Sequence, residues 1–292
     1  MRKAVVAIVR GKNPVEMTIK ALEMINAEEL VSPDDKVLIK PNYVTAKHPS
    51  TGVTTDPQVI EGVVKFLRQH GVKSITIGEG SGFCDTMEAY ELAGVTSLAK
   101  AYDVKLVDLN KDQLVEISIP NAMALNKVKI AKIALESSCI ISVPKLKTHS
   151  LTKATLSLKN LMGVVVPKDT MHNNLDEKIV DLFSRIKPKL AVIDGLVGCF
   201  GGELGGTPVR MDIVIAGADP LAVDAIGAAI MGIEPSEVDY IRLAERRKLG
   251  AGSLDGINVL GEGIEWITRG IGTDEVVRRL REDWTRELRS NF

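Results

Sequence analysis

The stretch from Cys139 to Gly163, CIISVPKLKTHSLTKATLSLKNLMG, decides how this chain is read. Cys139 to Val143 is a short, continuous apolar run rich in isoleucine and valine and closed by Pro144, the pattern of a strand buried on both faces of a parallel sheet. Lys145, Lys147 and His149 then recur at every second position. If the backbone stays extended, all three side chains project to one side just past the strand's carboxyl end. From Thr152 to Met162 the spacing predicts a helix, with Leu151, Ala154, Leu158 and Leu161 on one stripe and Thr152, Thr155 and Lys159 on another. Open parallel sheets bind ligands in the crevice beyond the carboxyl ends of their strands, which is where this cluster of nitrogen bases falls.

Working outward, short buried runs alternate with amphipathic segments. Strands are predicted at Ala4 to Val9, Lys36 to Ile39, Ser74 to Ile77, Val104 to Asp108, Val115 to Ile119, Leu190 to Ile193, Met211 to Ala216 and Gly256 to Leu260. Helices are predicted at Pro14 to Ile25, Thr86 to Leu92, Thr96 to Ala101, Leu175 to Ile186, Leu221 to Met231 and Val238 to Arg247. Asp56-Pro57 and Asp219-Pro220 each open a helix by the same logic, an acceptor side chain for an orphan amide followed by proline in the first turn. The alternation defines an α/β fold: a largely parallel sheet flanked by helices, with a ligand crevice at the carboxyl ends of its strands. Residues 1–292 read as a single domain, with a helix-strand-helix extension over 233–292. The last helix, Asp274 to Leu288 with Thr273 as cap, carries Val276, Val277, Leu280, Trp284 and Leu288 on one side, so it docks on the body or on a second subunit and offers a route to a homo-oligomer.

Strand ends collect the candidate site. Lys40 and Asn42 flank Pro41, which has no amide to continue a ladder and is expected to stop it. Glu79 sits in GEGSG (78–82), which lacks the third glycine of a GxGxxG nucleotide fingerprint. Asp194 ends the strand begun at Leu190, and Asp224 in the next helix can point to the crevice. The sequence assigns catalysis to Lys147, His149 and Glu79, with His149 or Glu79 exchanging a proton and Lys40, Lys145 and Lys147 as charge partners, and substrate contact to Lys40, Asn42, Lys145, Lys159 and Asn160. A lysine shielded from water beside other cations has a lowered pKa, which would allow nucleophilic or imine chemistry. Lys168 and His172 lie on the loop after the central stretch; His149, His172 and Asp194 are the candidates for a metal. GCFGGELGG (198–206) has five glycines in nine positions. It is read as neither helix nor sheet interior, and Gly201, Gly202, Gly205 and Gly206 as a lid.

Several separate motifs, in order, carry a family resemblance: VLIKPN (37–42), TTDP (54–57), VPKLKTH (143–149), SLKNLMG (157–163) and ADPLAVDA (218–225). Together they resemble the domain-of-unknown-function family numbered three hundred and sixty-two, over roughly residues 36–232. Members of that family are often joined to ferredoxin-like iron–sulfur modules, and this resemblance implies at most an accessory role in such a redox system. Here the pattern departs, because the three cysteines, Cys84, Cys139 and Cys199, form no cluster; no iron–sulfur cluster is expected. In layout alone the chain is also similar to the nickel-dependent lactate racemase family, whose pincer cofactor is held by a lysine. That likeness carries no residue over.

Composition narrows the partners. Hydrophobic residues make up 45% and charged residues 26%, with a net charge of -1, so no global field draws the chain to nucleic acid or a membrane surface. Aromatic residues at 4% do not provide the stacking platforms of single-strand binders. No apolar run approaches the ~20 residues of a membrane helix, and a cytoplasmic location is expected. The first functional reading is therefore an enzyme binding a small anion, a carboxylate or phosphate, in a crevice lined by lysine and histidine. The alternatives are a metal or metallocofactor protein, and a non-catalytic accessory of an iron–sulfur system.

Overall fold

The structure, a computed structural model, describes residues 3–265. The amino-terminal part runs β1 (Ala4–Arg10), α1 (Pro14–Met24), β2 (Lys36–Pro41), α2 (Pro57–Gln69), β3 (Ser74–Glu79), α3 (Thr86–Ala93), α4 (Val95–Ala101) and β4 (Lys105–Asp108). There follow β5 (Leu114–Ser118), β6 (Lys127–Ala131), α5 (Lys132–Glu136), β7 (Cys139–Val143), β8 (Lys145–His149), β9 (Lys153–Thr155) and α6 (Ser157–Asn160). The chain then continues through α7 (Leu175–Arg185), β10 (Leu190–Phe200), β11 (Thr207–Gly217), α8 (Pro220–Ile230), α9 (Asp239–Arg246) and β12 (Ile257–Gly261).

One sheet dominates, in the order β12-β1-β11-β10-β7-β2-β3-β4, with β8 and β9 branching from β10. All neighbours along this path are parallel except β11, which is antiparallel to both β1 and β10. Burial follows the two-residue pleat: Val6, Ile8 and Ile215 belong to the apolar cluster on one face, Ala7, Val9 and Ala216 to that on the other. Both faces are covered, which is why the strands read as continuous apolar runs rather than alternating ones. Asn13, Asp56 and Asp219 cap α1, α2 and α8 through their side chains, each followed by proline, so the Asp-Pro reading of two helix starts holds. Among the described residues, no helix is long and apolar enough to cross a membrane.

Four expectations are corrected. Thr152 to Met162 is not one helix: β9 folds back on β8, pairing Lys147 with Thr155 and His149 with Lys153, before the short α6 begins. Lys153 has φ 62°, a left-handed conformation that no α-helix contains, and Leu151 is 76% exposed instead of packed. The strand from Leu190 does not stop at Asp194; it continues to Phe200 and forms a long hairpin with β11 whose turn is confined to 201–206. Pro41 still pairs with Val143 rather than ending the ladder before it. Asp224 faces away from the crevice: its carboxylate accepts from the Ser157 amide (2.7 Å) and the Leu158 amide (2.9 Å), capping α6 from beneath. The predicted final helix, Asp274 to Leu288, lies outside the described residues.

Asp224 therefore holds the segment that presents Lys159 and Asn160. Asp224→Ala strands two buried amides, and chemical denaturation should show a loss of about 1–3 kcal/mol; unchanged stability would mean α6 has other support.

Candidate functional site

Beneath the carboxyl edge of the sheet lies a fully buried polar clamp. Lys40, at the end of β2, places Nζ 2.7 Å from Glu79 Oε1, 2.7 Å from the Pro41 carbonyl and 3.1 Å from Asn160 Oδ1. Those three acceptors use all three ammonium protons. Burial lowers the Lys40 pKa and the charge of Glu79 opposes that shift. Glu79 is equally occupied: Oε1 also accepts the Gly80 amide (2.8 Å) and Oε2 the Tyr43 amide (2.8 Å). Asn160 closes the ring, its amide nitrogen donating to the Lys40 carbonyl and to Ser142. Gly163 lies directly against this pair, since a Cβ there would sit 2.2 Å from Glu79 Oε1 and 2.4 Å from Lys40 Cε. The clamp thus joins VLIKPN to SLKNLMG.

A second buried pair lies under the first turn of α2. Lys145 Nζ donates to Asp194 Oδ2 (2.8 Å), which also accepts the Asp56 amide (2.6 Å), while Oδ1 takes the Leu196 amide (3.0 Å). Thr55 Oγ1 donates to the Val143 carbonyl and accepts the Asn42 amide, and Thr54 donates to Lys47. The TTDP segment is consequently spent on holding strand ends together. Lys145 and Asp194 do not line the crevice, which removes one candidate for substrate contact and one for a metal.

Above the clamp opens a cleft of about 330 Å³. Lys40, Asn42, Glu79, Lys147, His149, Thr155, Lys159, Asn160, Lys168, His172 and Glu203 supply its polar lining, and Phe83 and Leu151 are apolar residues in it that are 69% and 76% exposed. Seven of the eight residues assigned to catalysis or substrate contact are brought together here. Two contributors carry no role in the sequence analysis: Lys168, which follows the central stretch on a 3-10 turn, and Glu203, the one charged residue in GCFGGELGG, whose isolation is the signal it offers. Thr155, expected on the helical stripe with Lys159, lines the cleft from β9 instead.

The lysines differ in how they are compensated. Lys147 donates to the carbonyls of Val53 (3.0 Å) and Glu203 (3.3 Å). Lys168 donates to those of Gly163 (2.9 Å) and Val165 (2.7 Å), and Lys159 meets only the Met162 sulfur at 3.6 Å. Among the described residues none of these three forms an ion pair, whereas Lys40 and Lys145 both do. Burial accordingly lowers the Lys147 pKa to about 7, helped by the charge of Lys159, and lowers those of Lys159 and Lys168 to about 8. Two buried polar atoms of the lining, Asn42 Oδ1 and Thr155 Oγ1, have no hydrogen-bond partner.

His149 is fixed by its backbone. Nδ1 accepts the amides of Leu151 (3.1 Å) and Thr152 (3.3 Å), so it bears no proton, and the neutral ring must carry its one proton on Nε2. Burial, together with Lys159, pushes the His149 pKa down to about 3. Nε2 stands 3.6 Å from Glu203 Oε1. His149 thereby presents Nε2–H to the cleft as a hydrogen-bond donor, and Nε2 cannot ligate a metal while Nδ1 holds both amides. His172 is exposed at the rim. No group of three or more His, Cys, Asp or Glu side chains suited to a metal occurs among the described residues, so His149, His172 and Asp194 do not form a ligand set.

Gly201 and Gly202 have φ of 89° and 151°, and a Cβ on Gly206 would lie 2.3 Å from the Phe200 carbonyl. The turn itself demands these glycines; Gly205 has no such constraint. The tip is tied down by Lys47 Nζ to the Leu204 carbonyl (2.6 Å) and by the Gly201 amide to Thr148 Oγ1 (2.9 Å).

Residues 37–229 match the family described as domain of unknown function, DUF362, and the chain belongs to it. A thylakoid-associated protein of Synechocystis sp. is 26% identical over 274 residues, covering 90% of this chain and 83% of its own. Among solved structures, the lactate racemase apoprotein from Thermoanaerobacterium thermosaccharolyticum superposes with a TM-score of 0.51 at 13% identity. The match covers 81% of this chain and 58% of that one, so this chain spans under two-thirds of the neighbour's length, and at that identity the likeness is one of fold.

Removing one member of the clamp leaves the other charge buried without its partner. Lys40→Met should cost about 3–5 kcal/mol in denaturant unfolding, and adding Glu79→Leu should recover much of it; a single variant as stable as the double would refute this account of the clamp.

Proposed function

We propose that the protein is an enzyme that binds a small anion, a carboxylate or a phosphate, in the cleft, with Lys159, Lys147 and Lys168 as its charge partners and the Nε2–H of His149 as a neutral donor. The observation that carries this reading is a contrast among the lysines, of which Lys40, Lys145 and Lys147 are buried and Lys159 and Lys168 half-buried. Those of the clamp and of the Asp194 pair are neutralised, while the three around the cleft are not. A desolvated ammonium without a counter-charge is costly, and an anion arriving from solvent relieves that cost.

The hairpin tip complements this role as the lid. Glu203 reaches over the cluster: its carboxylate accepts from the Ser150 amide (3.1 Å) and hydroxyl (3.2 Å) and faces His149. Its negative charge favours the protonated forms of Lys147 and Lys159, and an incoming anion takes over that part. Closing the tip again after binding would exclude water and strengthen the attraction between lysines and anion.

Thermal shift tests the proposal. At about 100 times Kd a binding anion adds about 2.7 kcal/mol, or roughly 5 °C for a chain of this size. Lys159→Met should weaken binding about tenfold. The anion prefers protonated amines, so affinity should be highest below pH 7 and fall as pH rises through 7 to 8, where Lys147 and then Lys159 and Lys168 discharge. No shift with any carboxylate or phosphate, or binding indifferent to Lys159→Met, would refute the proposal.

A further inference from the structure

We infer that Lys147 is an imine-forming residue, and that the anion taken by the cleft carries a carbonyl group, as a small oxo acid does. This rests on the anion-binding reading above and names the reaction that the same site supports.

The geometry comes first. Lys147 stands on β8 with its stem buried and its Nζ at the cleft. Two of its hydrogens are directed to the Val53 and Glu203 carbonyls. A neutral amine has two hydrogens and one lone pair; with both hydrogens held by carbonyls, the lone pair takes the remaining tetrahedral direction, and among the described residues Lys147 Nζ has no hydrogen-bond donor and no ion-pair partner. Lys40 and Lys145 differ on this point, since each is tied to a carboxylate as an ammonium. Lys168 also donates to two carbonyls but belongs to the turn at 168–171, while Lys159 has no carbonyl to orient it.

The charges facing Lys147 make the neutral form accessible. Burial and Lys159 lower its pKa to about 7, against the opposing influence of Cys199, Glu203 and Glu79. Lys159 and Lys168 discharge near 8, so between roughly pH 7 and 8 one amine is a nucleophile while two remain cationic. This division of labour is what an oxo acid requires: its anionic group sits on the charged lysines and its carbonyl carbon meets the free amine. His149 Nε2–H is available to the carbonyl oxygen as charge builds on it. The neutral amine adds to the carbonyl carbon, forming the C–N bond. Both of its hydrogens pass as protons to the former carbonyl oxygen, which leaves as water, and the C=N bond remains. No oxidant or reductant takes part.

Borohydride trapping tests the step. The full-length protein is incubated with pyruvate or phenylpyruvate, reduced, and mapped by mass spectrometry, while binding of the same acids is followed by thermal shift. The expected result is one reduced adduct per chain on the peptide bearing Lys147. Its yield should rise through pH 7 and decline above pH 8, and the adduct should be absent in Lys147→Arg. An adduct spread over surface lysines that grows steadily toward pH 10, in a wild-type sample that needs no variant to fold, overturns the proposal. Binding of both acids without an adduct overturns it while sparing the anion-binding reading; neither binding nor adduct overturns both.

Discussion

The buried ion pair between Lys40 and Glu79 is the constraint on which the site depends. It ties the ends of two adjacent parallel strands to each other and, through Asn160, to the segment that carries Lys159. A lone charge at this depth would be prohibitive, so each partner needs the other, and both need the amides of Gly80 and Tyr43. Gly163 is a consequence of the same contact, because only a residue without a side chain fits against the pair. Motifs distant in sequence, VLIKPN, GEG and SLKNLMG, are therefore parts of one object.

With the clamp neutral and the Lys145–Asp194 pair sealed under α2, the remaining positive charge of the cleft belongs to lysines that donate to carbonyls or a sulfur rather than to carboxylates. The fold creates the difference. Strand β8 alternates, yet its first lysine meets Asp194 across from β10 while its second, two residues on, has only carbonyls within reach. Spacing alone treats Lys145 and Lys147 as equivalent, and their surroundings separate them into a paired staple and a lysine held only by carbonyls.

The α/β architecture and most strands were legible because runs such as Cys139 to Val143 are continuous in isoleucine and valine, as a sheet covered on both faces requires. The grouping of Lys40, Asn42, Glu79, Lys147 and His149 was legible because each follows a strand on the parallel edge. What was hidden is tertiary. Leu151, Ala154, Leu158 and Leu161 keep helical spacing, but β8 is an edge that demands a partner, and the turn that supplies β9 is stabilised by His149 Nδ1 and a left-handed Lys153. The extension of β10 past Asp194 was masked by its glycines. Gly195 and Gly198 are there because Ile213, Phe200 and Met211 crowd the hairpin, not because the chain breaks. The tautomer of His149, which leaves Nε2–H as its donor, depends on two backbone amides and has no counterpart in the sequence.

The account stands on cleft lysines, Lys147 buried and Lys159 and Lys168 half-buried, that have no ion-pair partner among the described residues, and titration of individual lysine side chains by heteronuclear NMR measures their state directly. With Lys147 assigned by its loss in Lys147→Arg, the account predicts a midpoint near pH 7 in the free protein that moves upward when an anion saturates the cleft. A Lys147 signal that titrates near 10.4 like an exposed lysine, with or without anion, would contradict it.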